Sequence, residues 1–293
     1  MKFSIFLGNH DRQQFDLLRD MVMTFRYGLE ELGHSVVISD YTLFHDRMNL
    51  IFEDFGETFN AKFIGPNRDV PYGIICTEPF DGERLITYGT HPYRTQGFLA
   101  AARDARFLWC FLDGSTEIYR SAIANGQCHY VPLGYVEKLA ETRHLPMAER
   151  DIDILFFGRV TPYREAVLDE LAARGCGVMA TNRSAQVFVR NAFIERSKLN
   201  LAMKLDETWE HTSPGRLSYL VINGQPTLAE RCRFADPVEG YVFPTSHALI
   251  VERCLEILGN IEENAILARK LAERFKVERR MAAFLAPAID AIS

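Results

Sequence analysis

A glycine and two arginines mark the clearest chemical signal in the sequence. Gly158 directly follows the short apolar run Asp153–Phe157, and a helical pattern begins after the loop, at Pro162. A strand, a tight glycine turn and a helix are typical of the opening of a nucleotide-binding βα unit. Arg159 and Arg164 flank this turn. Free N–H groups at a helix N-terminus, with guanidinium groups beside them, favour a bound phosphate. The segment therefore predicts a phosphate site.

A second unit of the same kind begins at the first residue. The pattern predicts a strand at Phe3–Leu7, a helix over about Gln13–Leu32 and a strand at His34–Ser39, which together form a β-α-β unit with a parallel sheet. Other predicted helices cover 44–59, 95–105, 113–125, 188–196, 213–222, 252–258 and 262–275, and other predicted strands cover 72–76, 106–112, 128–132, 177–180, 199–203 and 226–228.

These elements predict an α/β protein of two Rossmann-like domains. The first covers residues 1–140, a polar linker lies near 135–150, and the second covers 151–275. A C-terminal helix over 276–293 could pack back on the first domain. We expect two parallel sheets that face a central cleft, because ligands of such sheets bind beyond the carboxyl ends of the strands.

Composition excludes several classes of function. A net charge of −6 gives no cationic footprint for nucleic acid. None of the six cysteines forms a CxxC pair, which favours reduced thiols and a cytoplasmic protein. No apolar stretch reaches membrane length, although the amphipathic C-terminal helix could touch a membrane surface.

Two classes of enzyme fit the sequence poorly. The GNHD sequence at residues 8–11 also occurs in metallophosphoesterases, but the upstream Asp-x-His and the later histidine ligands are missing, so we expect no metal site. A dehydrogenase also fits poorly, because the first strand is not followed by a GxGxxG turn.

Two segments, 151–175 and 193–230, resemble the C-terminal domain of GT-B glycosyltransferases, and within that fold the group related to spore-maturation glycosyltransferase-like proteins. The resemblance covers about 151–275, while the first half matches in architecture alone. It implies a hexosyltransferase-like enzyme whose second domain holds a nucleotide-sugar donor, with the nucleotide-sugar as substrate and no further cofactor. The first domain would hold an acceptor, which could be a glycan, a protein or a small molecule.

The family motif places further donor-binding residues in the second domain. It contains a serine- or glycine-containing turn, an arginine, a helix, a glycine and a strand that ends in glutamate, and these places fall on Ser213, Gly215, Arg216, Gly224 and Glu230. We expect Ser213 to cap a helix whose dipole, with Arg216, favours phosphate. Glu230 could accept hydrogen bonds from ribose hydroxyls, or it could pair with a nearby arginine on the surface.

Other second-domain positions carry weaker signals. Lys198 adjoins an apolar strand and His211 could reach the leaving group, although a solvated loop histidine is the commoner case. Many retaining GT-B enzymes carry two glutamates with seven residues between them, and those places hold His211 and Tyr219 here. The stereochemical outcome of transfer is therefore left open.

Inverting transfer needs a base that takes the proton of the acceptor hydroxyl. The candidates follow strands of the first domain, and they are alternatives for one role: His10, Glu78 and Asp113, with Asp81 and His91 behind them. Asp113 is also a natural helix N-cap, and Glu78 could be a plain loop carboxylate. A second function class stays open, namely a non-catalytic two-domain protein that binds a nucleotide or a nucleotide-sugar.

Overall fold

The computed structural model describes residues 1–8, 10, 12–52, 64–67, 69–87, 92–122, 127–181 and 185–292. The chain divides into two compact units. The first consists of Met1–Phe15, Met21–Gly134 and Met281–Ser293, and the second of Asp16–Asp20 and Tyr135–Arg280. No helix in these described ranges is long and apolar enough to cross a membrane.

Each unit is built on a parallel sheet. The strands of the first unit are β1 (Lys2–Phe6), β2 (Ser35–Ser39), β3 (Met48–Phe52), β4 (Tyr72–Cys76), β5 (Leu108–Cys110) and β6 (Cys128–Tyr130). Those of the second are β7 (Ile152–Phe157), β8 (Val178–Thr181), β9 (Ser197–Ala202), β10 (Thr227–Glu230) and β11 (Phe243–Thr245). The strand orders are β2-β1-β3-β4-β5-β6 and β11-β10-β9-β7-β8.

Nine helices of the described chain cover these sheets: α1 (Arg12–Glu31), α2 (Pro92–Ala102), α3 (Asp113–Ala122), α4 (Pro162–Ala173), α5 (Val187–Arg196), α6 (Pro214–Ile222), α7 (Ile250–Gly259), α8 (Ile261–Glu278) and α9 (Met281–Asp290). The C-terminal helix α9 belongs to the first unit, where Met281 and Leu285 lie against Gly28 of α1. A Cβ at Gly28 would lie 2.6 Å from Met281 Cγ, so this close helix contact depends on glycine.

The strand orders locate the edge where a ligand would bind. In both sheets the chain reverses its winding direction beside the first strand, between β1 and β3 in the first unit and between β7 and β9 in the second. Open parallel sheets bind ligands beyond the carboxyl ends of the strands at such a reversal. In the second unit this point lies where β7 ends at Phe157 and β9 ends at Ala202.

The structure corrects two predicted elements. The helix predicted over 44–59 is wrong where it is described, since Met48–Phe52 is the buried strand β3, paired with β1 and β4. A short apolar run fits a buried strand as well as a helix, and tertiary pairing decides. Residues 53–59 and the candidate His91 lie outside the described residues. The strand β11 was not predicted, because its Pro244 argues against a strand except at the edge of a sheet, which is where β11 lies.

A buried ion pair lies within the second unit. The Arg190 guanidinium donates to both oxygens of Asp20, at 2.5 Å and 3.0 Å. The side chains are 10% and 12% exposed, so water screens the pair little. Arg190 also stacks over Tyr219 at 4.2 Å. Removing one member of such a pair leaves a buried charge without its partner.

We therefore expect Asp20→Asn to destabilise the fold by about 3–5 kcal/mol, measured by chemical denaturation. The exposed pair Arg196–Asp151 supplies a matched control, because its side chains are about half exposed. Asp151→Asn should leave the denaturation midpoint close to that of the natural chain. Equal stabilities of the two variants would contradict a structural role for the buried pair.

Candidate functional site

Gly158 ends β7 at the reversal point of the second sheet, and its backbone demands glycine. Its φ of +134° lies in a region that other residues rarely adopt. A Cβ at this position would also lie 2.5 Å from Nη2 of Arg216. The missing side chain therefore lets the Arg216 guanidinium lie directly against the backbone of the β7–α4 turn.

Arg216 lies in the first turn of α6, and its guanidinium is poorly solvated. The guanidinium carbon is 5.4 Å from the ring centres of both Phe156 and Phe157. Nη1 is buried and has no hydrogen-bond partner among the described residues. Burial, together with the nearby charge of Arg164, lowers the pKa of Arg216 to about 9. A desolvated cation without a counter-charge is a binding site for an anion.

Arg164 has a different role from the predicted phosphate contact. Its guanidinium donates to the backbone carbonyls of Arg159, Met203 and Lys204, each at 2.7 Å. Thr161 adds a fourth bond, from its hydroxyl to the carbonyl of Leu205 at 2.7 Å. These bonds fix the loop after β9 against the start of α4. Arg164 thus positions the edge of the site and raises the local positive charge, whereas Arg159 is exposed at the turn.

Ser213 does not act as the predicted cap of α6. Its side chain is exposed and makes no hydrogen bond to the helix, and its backbone φ and ψ are −98° and 84°. Pro214 and Gly215 form the start of the helix, where first-turn N–H groups have no intrahelical acceptor. The helix start therefore keeps N–H groups and its positive dipole end beside Arg216.

Glu230 ends β10 as predicted, but its carboxylate is enclosed. The side chain is 1% exposed, Oε1 accepts from the Tyr163 hydroxyl, and Oε2 accepts from the Lys204 N–H at 2.9 Å. The alternative of a surface pair with a neighbouring arginine is wrong, since the nearby basic groups are Lys204 Nζ and His247 Nδ1, at 3.6 Å and 3.4 Å from Oε1.

His247 is a residue of this edge that sequence reasoning missed. It follows β11 and stacks on Tyr163, with ring centres 4.2 Å apart. Because β11 was not predicted, nothing in the sequence placed His247 beside Glu230. One signal was available: His247 directly follows the strand-like segment Phe-Pro-Thr-Ser, and such a position indicates the carboxyl edge of a sheet.

Lys198 lies at the wrong edge for donor binding. It is near the start of β9 and pairs with Asp153 at 2.7 Å, whereas ligands bind at the carboxyl ends of the strands. The prediction for Lys198 failed because the ligand site of a parallel sheet lies beyond the carboxyl ends of its strands, and Lys198 is near the amino end of β9. His211 is buried beyond β9, stacked on Phe234 with ring centres 4.8 Å apart, and is not the solvated loop histidine of the commoner case.

The candidate bases lie at the carboxyl edge of the first sheet. His10 is at the reversal point, with Nε2 3.3 Å from the carbonyl oxygen of Phe52, the last residue of β3. Glu78 follows β4 and accepts from Arg94 at 3.2 Å, and Asp113 is the exposed first residue of α3. In the described part of the chain no group of three His, Cys, Asp or Glu side chains could hold a metal ion.

Comparison with known proteins identifies the fold. No family model matches the sequence, and no curated protein matches it. The crystal structure of the DNA-modifying enzyme β-glucosyltransferase, studied with and without uridine diphosphoglucose, is similar with a TM-score of 0.60 at 11% identity, covering 100% of this chain and 99% of the other. Anabaena HepE in complex with UDP-glucose gives 0.57 at 11% identity, with 100% and 99% covered.

Two further crystal structures agree with this result. AviGT4, a glycosyltransferase of avilamycin A biosynthesis, gives a TM-score of 0.52 at 14% identity, with 97% and 98% covered. TarM gives 0.56 at 10% identity, with 91% of this chain covered, and the chain spans 57% of TarM. At such identities the similarity concerns the fold. The two parallel sheets and these neighbours confirm the predicted fold class, that of GT-B glycosyltransferases.

Gly158→Ala should damage the site through both backbone strain and a clash with Arg216. We expect a loss of about 1–3 kcal/mol in unfolding free energy from the strained backbone, while the Arg216 guanidinium, the far end of a flexible side chain, is displaced. Gly175→Ala is the matched control for strain, because Gly175 also has a positive φ, +88°, but no atom lies within 4 Å of an added Cβ. Calorimetry with inorganic pyrophosphate should then show weaker binding in Gly158→Ala alone, and equal affinities of the two variants would exclude the contact with Arg216 from the site.

His211 should make the fold less stable in acid. Burial lowers the pKa of His211 below its ordinary 6.5, against a smaller opposite effect of Glu210. The unfolded chain then binds the proton more readily, so stability is lost as the pH falls through 6.5 and below. We expect the Tm to fall less between pH 7.5 and 5.5 in His211→Phe than in the natural chain.

The exposed His45 supplies the control for this comparison. His45→Phe should keep the pH dependence of Tm found in the natural chain. A His211→Phe variant with that same dependence would show that His211 is not the group responsible.

Proposed function

We propose that this protein is a glycosyltransferase that moves a sugar from a nucleotide-sugar donor to an acceptor hydroxyl without a metal ion. The observation that carries the proposal is the guanidinium of Arg216, buried at Nη1 without a partner among the described residues and held against Gly158. It lies at the reversal point of a parallel sheet, on a fold shared with enzymes that use nucleotide-sugars.

The chemistry of transfer explains why such a cation is useful. As the bond between the sugar and the diphosphate breaks, negative charge builds on the leaving oxygen. Arg216 and the N-terminal dipole of α6 would stabilise that charge, and Gly158 would let the diphosphate approach the backbone. Since the guanidinium is already desolvated and held by the fold, little reorganisation is needed during the reaction.

UDP-glucose is the first donor to test, because HepE and β-glucosyltransferase were crystallised or studied with it. A hexose is the expected sugar. Affiliation with the spore-maturation-related group stays a proposal that rests on residues 151–275. The six cysteines without a CxxC pair support a cytoplasmic location, and contact of the C-terminal helix with a membrane surface stays a proposal.

The acceptor hydroxyl must lose its proton to a base as the new glycosidic bond forms. His10, Glu78 and Asp113 remain alternatives for that role, all at the carboxyl edge of the first sheet. Histidine has the ordinary pKa best suited to proton transfer near neutral pH, which favours His10. Activity of the His10→Ala, Glu78→Ala and Asp113→Ala variants would separate the candidates.

A non-catalytic nucleotide-binding protein is the second candidate. It is supported by Tyr219, which stands where many retaining enzymes carry a glutamate and which donates to Asn191 at 2.8 Å inside the fold. Donor hydrolysis in the absence of an acceptor would support the enzyme. Tight binding of a nucleotide without turnover, across a panel of acceptors, would support the binding protein.

Arg216→Ala should weaken binding of UDP by more than tenfold, because a hydrogen bond to a charged group is worth about 1.5–3 kcal/mol. A thermal-shift panel of UDP, GDP, dTDP, CMP and ADP sugars would first establish the base, since a ligand of the native state raises the Tm. Calorimetry then measures the affinity of each variant for the corresponding nucleoside diphosphate.

Arg233→Ala is the matched control for the loss of positive charge. Arg233 is in the same unit but 70% exposed, and it pairs with Glu210 at the surface. Its removal should leave nucleotide affinity nearly unchanged. Unchanged affinity in Arg216→Ala would remove Arg216 from the site and leave the proposed function without its main support.

A further inference from the structure

Three side chains at the carboxyl ends of β10 and β11 form a second polar feature, which we call the His247 cluster: Tyr163, Glu230 and His247. Glu230 is enclosed, and its two oxygens accept from the Tyr163 hydroxyl and from the Lys204 N–H. Burial and the hydrogen bond to Glu230 raise the pKa of Tyr163, so its hydroxyl keeps its proton and acts as the donor. Glu230 is therefore an acceptor at both oxygens.

This environment fixes the orientation of His247. Nδ1 lies 3.4 Å from Glu230 Oε1, and stacking on Tyr163 holds the plane of the imidazole. The pair is a close approach rather than a hydrogen bond, but a carboxylate can only accept, so it favours the tautomer that carries the proton on Nδ1. In that tautomer Nε2 is an acceptor. It has no hydrogen-bond partner within the described chain, and the side chain is 41% exposed.

The cluster stands on the same edge as the diphosphate site but some distance from it. The strand order from β7 through β9 and β10 to β11 contains three steps. With strands about 4.8 Å apart, the separation along the edge is roughly 14 Å. Arg164 lies between the two places, since its guanidinium is over the Phe156 ring, as that of Arg216 is, and also donates to the carbonyls of Met203 and Lys204 after β9. A nucleoside diphosphate that binds Arg216 through its phosphates would be long enough to reach His247 with its nucleoside end.

We propose that His247 recognises the nucleoside part of the donor, through Nε2 as acceptor for a hydrogen bond from a ribose hydroxyl or a base N–H, with Glu230 and Tyr163 as positioning residues. The inference rests on the proposed function, and it changes the role that the sequence suggested for Glu230. Because the Glu230 side chain is only 1% exposed, it offers a ribose little access. Its proposed role is to favour the tautomer of His247 that presents Nε2 as an acceptor.

The test compares ligands with and without a nucleoside, on the full chain. Calorimetry is carried out with UDP, GDP and inorganic pyrophosphate. His247→Phe keeps an aromatic ring to stack on Tyr163 but has no acceptor. We expect it to weaken the binding of whichever nucleoside diphosphate the natural chain binds by roughly five- to tenfold, the effect of one hydrogen bond, and to leave pyrophosphate unaffected.

Two more variants sharpen the test. His45→Phe, the same change at an exposed position of the first unit, should leave every affinity unchanged. Glu230→Gln keeps the shape of the side chain but introduces an N–H that can face Nδ1, so the tautomer is no longer fixed. Glu230→Gln should weaken nucleotide binding less than His247→Phe does, and it should leave pyrophosphate binding unchanged. A purely structural role for Glu230 would weaken both ligands alike and would contradict the proposal.

The 2′,3′-dideoxy form of the nucleotide shows whether the hydrogen bond to His247 comes from a ribose hydroxyl or from a base N–H. If a ribose hydroxyl is the donor, the dideoxy nucleotide binds the natural chain and His247→Phe equally. If the donor is a base N–H, the dideoxy nucleotide still binds the variant more weakly. If His247→Phe also weakens pyrophosphate binding, the phenyl ring has disturbed the site, and His247→Ser is measured instead. The proposal then requires His247→Ser to weaken nucleotide binding and to leave pyrophosphate binding unchanged.

The outcomes distinguish this inference from the function on which it rests. A natural chain that binds pyrophosphate and a nucleoside diphosphate, with His247 variants that bind both equally well, would overturn the role of His247 and leave the proposed function intact. A natural chain that binds no nucleoside diphosphate in the panel would overturn both.

Discussion

The desolvation of one guanidinium constrains the second unit. Arg216 lies over two phenylalanine rings, with Nη1 buried and unpaired within the described residues. An unpaired buried charge is costly, and the neighbouring cation Arg164 raises the cost. Gly158 leaves room for it beside the β7–α4 turn. Such an arrangement lowers stability, and a group perturbed in this way is a candidate for a functional site.

The rest of the edge follows from this constraint. Glu230, the buried carboxylate at the end of β10, is engaged by other donors, namely the Tyr163 hydroxyl and the Lys204 N–H. Arg164 uses carbonyl oxygens as acceptors, which satisfies its N–H groups without cancelling its charge. Hydrogen bonds thus run from the β7–α4 turn through the loop after β9 to the end of β10. The carboxyl edge is ordered before any ligand arrives.

Features that depend on a short stretch of sequence were predicted correctly. The buried run Tyr72–Cys76 and the glycine turn at 158 were found because apolar composition and backbone freedom are properties of short segments. Met48–Phe52 was assigned to a helix because a short apolar run does not show which partner it will have. Lys198 was assigned to the site and His247 was missed for a related reason, since the edge on which a side chain lies depends on strand order. Gly158 and Arg216 were predicted separately, and no spacing in the sequence indicates that the two residues touch.

Tyr219 joins α5 and α6 inside the second unit. Its side chain is 1% exposed, its ring stacks on Arg190, and its hydroxyl lies 3.2 Å from a Glu141 oxygen. The charge of Asp20 also acts on it. Arg190 would favour an ionised glutamate at this position, whereas burial and the charges of Asp20 and Glu141 would disfavour it. Tyr219 instead offers a neutral hydroxyl, which donates to Asn191 and so joins α6 to α5 without adding a further charge to the buried pair of Arg190 and Asp20.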